Sequence, residues 1–362
     1  MPQKRVAVAM SGGVDSSVAA AILKEEGYQV IGITMLLDPE QGDKTVENAR
    51  KIADIIGIPH HTVDFRKLFK QRVITPFCNE YQQGSTPNPC IFCNNYVKFD
   101  ALLKKARKLG ADFMATGHYV RVEYSKDGYQ LLKGVDCNKD QSYFLYTLGQ
   151  KQLQYLLLPI GNLYKSRTKR MARELGLSDI IKSESQDICF LPNSDYSSFI
   201  NKHISSPAGD IIDIDGRILG RHRGLAHYTV GQRQGLGLAS NKRLYVIKLD
   251  AGNNRLVIGS QEHLLTGSLS ANQLSWVSGK APDEIDNITA KIRYRSPEVA
   301  VSLSINNGAA EVRFAHPQRA VAPGQSIVFY RGEVVLGGGI IENPKLAEGN
   351  DTDKHPVHAV LR

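Results

Sequence analysis

No apolar run of about 18 residues occurs in this chain, and no charged-then-apolar leader opens it. Neither a membrane span nor export is expected, and the expected location is the cytoplasm. Internal repeats and low-complexity tracts are also missing, which leaves ordinary packed domains, two or three of them at 362 residues. Cysteine is sparse and odd in number, five in all. Without an export signal, that points to thiols, metal ligands or catalytic groups rather than a structural disulfide set.

Acidic residues are missing from two stretches. The chain carries a formal charge of +9 and a pI near 9.2, and the placement of that charge matters more than its sum. Lys165, Arg167, Lys169, Arg170 and Arg173 share a segment with no Asp or Glu. So do Arg217, Arg221, Arg223, Arg233, Lys242 and Arg243, among glycines and His222, His227 and Tyr228. Such segments suit a phosphate backbone, a solvated basic face being the plain alternative.

One absence is chemical. Ser11-Gly12-Gly13-Val14-Asp15-Ser16-Ser17 follows the apolar run Val6–Met10 and opens an amphipathic segment from Val14 to Glu26: strand, glycine turn, helix. The turn aims backbone N–H groups and the positive end of the helix dipole at one point, which suits an anion. Ser11, Ser16 and Ser17 add hydroxyls, and Asp15 a carboxylate for a magnesium ion bridging phosphates. A nucleoside triphosphate is the expected ligand. The kinase and GTPase form of such a loop, GxxxxGK[ST], sets a lysine against the terminal phosphates, and none stands in this turn.

The first half alternates apolar runs at Arg5–Met10, Val30–Leu37, His60–Phe65 and Phe113–His118 with helical patterns near 14–26, 44–56, 66–82 and 97–109. This predicts an α/β fold, a doubly wound parallel sheet covered on both faces. Ligands sit beyond the carboxyl ends of such strands, so the Ser11 turn, Met35 and the Thr116-Gly117-His118-Tyr119 turn share one rim. At Ser205–Asp210 the texture changes to short alternating runs. Arg243–Leu249, Arg255–Ile258, Thr289–Arg295, Val299–Leu303, Ala310–Phe314, Ser326–Tyr330 and Val334–Ile341 recur at the spacing of a small antiparallel barrel. The expected division is 1–204, 205–270, 271–344 and a frayed tail, 345–362.

Thr86-Pro87-Asn88-Pro89-Cys90-Ile91-Phe92-Cys93-Asn94 reads as a Pro-rich loop before a helix starting about Val97. That would set Cys93 near a helix N-terminus with Lys98 nearby, both favouring the thiolate. Cys189 lies far away in Ser185-Gln186-Asp187-Ile188-Cys189-Phe190, a polar segment without a helical stripe.

SGGVDSS resembles the SGGxDS motif of the PP-loop ATP pyrophosphatases, which split ATP into AMP and pyrophosphate. With TPNPCIFCN, ATGHY at 115–119, KDQSYFLY at 139–146, SQDICF at 185–190 and GQRQGLG at 231–237, nearly the whole chain resembles the tRNA-specific 2-thiouridylases. That resemblance implies a PP-loop domain of the adenine nucleotide alpha hydrolase type, a small β-rich central domain and a C-terminal β-barrel. It implies 2-thiolation of the wobble uridine of tRNA for Lys, Glu and Gln, with a cysteine desulfurase or sulfur-relay protein as sulfur donor. ATP would lie on Ala9, Met10, Ser11, Gly12, Gly13, Val14, Asp15, Ser16, Ser17, Met35 and Gly117, with Mg²⁺ on its phosphates near Asp15. Cys93 would be the nucleophile and Cys189 the persulfide carrier, linked by a disulfide when sulfur is released. Because ATP, base and both sulfurs must meet, the loop carrying Cys93 would order on tRNA binding.

The same resemblance sets Asn88, Pro89 and Cys90 beside the target base, and Lys139, Asp140, Gln141, Arg293, Tyr294 and Arg295 on tRNA. Each has a plainer reading: Asp140 and Gln141 as helix caps, Arg293 and Arg295 as alternating residues of a solvated strand. Many members have Asp where this chain has Cys90, so Cys90, Cys93 and Cys189 offer three thiols. A [4Fe–4S] cluster on them is the alternative to a persulfide relay, while Cys78 and Cys137 read as inert. Two rival functions share parts of the pattern. A PP-loop ligase acting on a small metabolite needs no paired thiols, and a non-catalytic RNA-binding protein needs no ATP turn.

Overall fold

The computed structural model describes residues 3–37, 42–177, 188–191, 196–239 and 241–342. The expected tail from Lys345 and residues Ser185–Asp187 lie outside them. Strands β1 (Arg5–Ala9), β2 (Gln29–Leu36), β3 (His60–Asp64) and β4 (Phe113–Ala115) run parallel, joined by helices that include α1 (Val14–Glu25) and α2 (Gly42–Ile56). A hairpin, β5 (Val120–Ser125) and β6 (Gly128–Lys133), follows, and β7 (Leu156–Leu157) completes the sheet in the order β3-β2-β1-β4-β7. The strand period explains the two-sided burial. Ala7 faces a core with Ile91, Phe99 and Leu102, whereas Val6 and Val8 face Ala49, Ile52 and Ala53 of α2. Chain order reverses between β1 and β4, so the crevice beyond their carboxyl ends is the topological switch point.

The expected helix near 66–82 is one helical run, Arg66–Gln82, with a π-helical turn at Lys70–Ile74. The stretch read as loop is helical as well. Asn88 caps it by accepting from the Cys90 N–H at 3.1 Å, and Pro89 occupies the first turn, where no N–H is needed. The helix then runs through Pro89–Phe92, a π-helical stretch Cys93–Leu102 and Leu103–Lys108. Cys93 therefore stands a turn inside a helix, and the expected N-terminal placement is corrected: Asn-Pro is a helix start, and Pro-rich composition masked it.

The central unit is a four-stranded sheet of β8 (Gly209–Ile212), β9 (Ile218–His222), β10 (Tyr245–Asp250) and β11 (Arg255–Gly259), in the order β10-β11-β8-β9. Strands β12 (Leu265–Trp276), β13 (Thr289–Lys291), β14 (Val299–Asn306), β15 (Ala309–Arg319), β16 (Ser326–Arg331) and β17 (Val334–Ile341) form the antiparallel barrel, closed by β12 on β17. Strand β12 runs through residue 270, where the sequence suggested a division. The strand expected over 289–295 ends at Lys291, and Arg293, Tyr294 and Arg295 lie in bends and turns, so no strand alternation governs them.

The N-terminal unit is also not separate. The β5–β6 hairpin extends the barrel sheet through Leu132 beside Val334. The 139–146 segment is pinned to it by Tyr143 Oη donating to the Ser326 carbonyl at 2.8 Å and by Tyr146 Oη 3.2 Å from Ser326 Oγ. Thr86 N donates to the Pro323 carbonyl at 2.7 Å, and Gln325 Nε2 donates back to the Thr86 carbonyl at 2.8 Å. The chain entering the cysteine helix is thus fastened to the barrel.

Candidate active site

The turn after β1 is built to stay open. Gly12 has φ +73°, and a Cβ there would stand 3.2 Å from Asn48 Cβ. Ser17 is buried and donates its hydroxyl to the Gly13 carbonyl at 2.7 Å, and Ser16 Oγ makes a longer bond of 3.3 Å to the same atom. Ser16 Oγ also accepts from Ser11 N at 3.2 Å. The hydroxyls of Ser16 and Ser17 therefore hold the loop, and Ser11 is the exposed one. Gly117 closes the opposite side: a Cβ there would lie 2.5 Å from the Asp15 carbonyl carbon and 2.6 Å from Ser16 N. The rim expected from sequence therefore has two of its parts in backbone contact.

A lysine does reach this turn, from far along the chain. Lys165, at the start of helix Lys165–Glu174, places Nζ 2.7 and 2.9 Å from the two carboxylate oxygens of Asp15, and Tyr119 Oη donates to Oδ1 at 2.9 Å. The Lys165 N–H is itself fixed by Asp136 Oδ2 at 2.9 Å. With both Asp15 oxygens on an ammonium, a magnesium ion ligated directly by Asp15 does not fit this arrangement. Lys165 thus brings to the turn an ammonium that the turn's own sequence lacks.

The sulfur site adjoins the same rim. Cys93 is buried beside Phe77, Val97, Phe190 and Leu191, and Met35 packs on that cluster. Burial pushes the Cys93 thiol up against the opposing pull of Lys98, and it does the same at Cys90. The expectation that helix and lysine would favour the thiolate is corrected, because desolvation outweighs a single charge here. Cys189 is exposed, yet protein crowding its sulfur, then Cys93 and Cys90, push its thiol up to about 12. Its sulfur is hindered but reachable, and the three thiols stand within electrostatic reach of one another. All five cysteines are free. Among the described residues no three His, Cys, Asp or Glu side chains are grouped to hold a metal ion. Cys78 is buried in the same apolar cluster as Cys93, and Cys137 is exposed.

His118 links the two halves. It follows Gly117, bonds Thr116 Oγ1 through Nδ1 at 2.7 Å, and is held neutral by burial and by Lys98. Other sequence-derived residues point elsewhere. Asp140 accepts from Gly134 N, Ser142 N and Ser142 Oγ, and Gln141 Oε1 accepts from Tyr119 N. Arg293 donates to the carbonyls of Val230 and Ala320, joining central unit and barrel. Tyr294 packs on Phe144 with ring centroids 4.5 Å apart. Lys139 is half-buried and Arg295 exposed. In the central unit a cleft of about 440 Å³ is lined by Arg233, Lys242 and Arg243. Among the described residues no helix is long and apolar enough to cross a membrane.

A parallel sheet with this turn at its switch point defines a PP-loop ATP-binding protein. Residues 4–193 match the family model described as a tRNA methyl transferase HUP domain, 197–260 its PRC-barrel domain, and 266–341 an aminomethyltransferase beta-barrel domain. The chain is 47% identical over 354 residues to tRNA-specific 2-thiouridylase MnmA of Halothermothrix orenii, covering 93% of this chain and 99% of that one. It is 46% identical over 359 residues to the protein of that name from Acetivibrio thermocellus, covering 94% and 100%. The chain belongs to the family of tRNA-specific 2-thiouridylases, enzymes of the tRNA-uridine 2-sulfurtransferase class. The metabolite-ligase and non-catalytic alternatives fall with that membership.

Proposed function

We propose that the protein replaces the 2-oxygen of the wobble uridine, position 34, in tRNA for Lys, Glu and Gln with sulfur, consuming ATP and releasing AMP and pyrophosphate. The uracil oxygen attacks the α-phosphorus of ATP and pyrophosphate departs, which turns a very poor leaving group into AMP. A persulfide anion on Cys189 adds its terminal sulfur to C2, and AMP leaves with the C–O bonding electrons. The Cys93 thiolate then attacks Cys189 Sγ. The Cys189–sulfur bond breaks, its electron pair stays on the sulfur at C2, and a Cys93–Cys189 disulfide forms. Two thiol sulfurs are oxidised and the transferred sulfur is reduced, so the electrons balance; a thiol reductant restores both cysteines, and a desulfurase or relay protein reloads Cys189.

The observation that carries this reading is the Gly117–His118 step. Gly117 packs on the nucleotide turn, and the next residue lies within reach of Lys98, whose charge also acts on Cys90, Cys93 and Cys189. A base flipped to that point would meet ATP on one side and sulfur on the other. Asn88, Pro89 and Cys90 then border the base. Lys165 meets the pyrophosphate, magnesium travels on the phosphates of ATP, and Lys139, Arg295 and the Arg233–Arg243 cleft follow the tRNA backbone. Pyrophosphate release is expected to require added tRNA with an unmodified U34; release at the same rate without RNA would overturn the assignment.

A further inference from the structure

We infer that Lys98 is the counter-cation of the sulfur site, its ammonium compensating the sulfur anion carried first by Cys189 and then by Cys93. The inference rests on the sulfur-transfer reading and assigns a residue to its charge.

Backbone geometry carries it first. Cys93 and Lys98 lie in one π-helical stretch, Cys93–Leu102. A π-helix bonds residue i to i+5, so Lys98, along with Val97, comes round to the side of the helix that carries Cys93. Such wide turns concentrate at functional sites and cost packing elsewhere. The second observation is the state of the lysine. Lys98 is half-buried and its ammonium makes no hydrogen bond or ion pair among the described residues, whereas the next carboxylate on its helix, Asp100, pairs with Lys104. A half-enclosed ammonium without a carboxylate needs an anion to be stable.

Among the described residues, the charged and titratable groups acting on Cys90, Cys93 and Cys189 are Lys98 and the thiols themselves, and Lys98 also acts on His118. The remaining wall is apolar, with Phe77, Val97 and Phe190. Negative charge raised there by deprotonation, by the persulfide, or by sulfur departing from Cys189 meets this cation among the described residues.

Labelling of each cysteine with iodoacetamide across about pH 6 to 10, read by peptide mass spectrometry without ATP or tRNA, tests the role. In Lys98→Met, labelling of Cys93 and Cys189 at a given pH below their titration is expected to slow about tenfold, with Lys98→Arg near the parent and Cys78 unchanged in both. Unchanged rates at Cys93 and Cys189 in Lys98→Met, or equal slowing in Lys98→Arg, would overturn it. If Lys98→Met speeds Cys78, showing a loosened core, Lys98→Gln is read by the same criteria. Because labelling needs neither substrate, its outcome stands apart from that of the tRNA-dependent pyrophosphate assay.

Discussion

The nucleotide turn and the sulfur site share one rim of one sheet and handle charge in opposite ways. At the turn, Lys165 and Asp15 neutralise each other, and the hydroxyls of Ser16 and Ser17 are spent on the loop itself. That half is preorganised, with fixed dipoles waiting for phosphate. At the proposed sulfur site the Lys98 ammonium faces three thiols that burial holds in the protonated form. Under the proposed mechanism adenylation can begin when ATP and base arrive, whereas sulfur transfer needs a proton removed first. Such a division keeps the sulfurs quiet until the base has been activated.

Separating the halves by mutation should give the largest effects. Cys93→Ser and Cys189→Ser are each expected to reduce 2-thiouridine formation to background while tRNA-dependent pyrophosphate release continues, since neither sulfur touches the turn. Full thiolation in either variant would remove that residue from the relay. Lys165→Met should do the converse: pyrophosphate release falls about 10²- to 10³-fold, and labelling of Cys93 keeps its parent rate. Asp15→Asn, which takes the charge partner from Lys165, is expected to lower the same step by less. Unchanged pyrophosphate formation in both would break the assignment of that ion pair to the phosphates.

A pH series sharpens the contrast. Thiol values raised above the ordinary range mean that, below them, the reactive thiolate fraction grows about tenfold per pH unit. With reduced enzyme and an external persulfide donor, the rate of sulfur loading on Cys189 should climb through neutral into alkaline pH, its thiol titrating near about 12. Pyrophosphate release rests on no group of that kind and should stay comparatively flat. A loading rate that levels off near neutrality would mean that the thiol is not held protonated.

The parts of this site legible in sequence are those in which neighbours along the chain are neighbours in space. SGGVDSS and ATGHY each follow a buried strand directly, so strand order alone brings them together. Lys165 was visible only as one of several cations in a basic segment; its partner lies 150 residues away, and charge counting cannot tell an ammonium on Asp15 from one facing solvent. No periodicity announces a π-helical register, so sequence offers Lys98 as a near neighbour of Cys93 along the chain but not as a residue on the same side of one helix. Arg293 is illegible for the opposite reason: its Nη2 donates to one carbonyl of the central unit, Val230, and to one of the barrel, Ala320, and local pattern carries no trace of either. The joining of β5–β6 to the barrel was missed because a hairpin does not reveal which sheet it will extend.

The smallest effect should come from Asn88, and it bears on whether the sulfur site is held or merely allowed. The helix that carries Cys90 and Cys93 starts with one side-chain cap, Asn88 Oδ1 on the Cys90 N–H; Pro89 supplies the fixed φ of the first turn but no donor. Loss of such a cap costs about 1 kcal/mol. Asn88→Ala is therefore expected to lower the denaturation midpoint slightly, while Thr86 remains bonded to Pro323 and Gln325. If the helix start is fixed chiefly by that barrel contact, Gln325→Ala will cost more than Asn88→Ala. If the cap and the contact act as one unit, the double variant will lose less than the sum of the two. Additive losses would mean that helix start and barrel contact are independent supports; a shortfall would mean that the barrel helps set the cap, tying the position of Cys93 to the domain carrying Arg295.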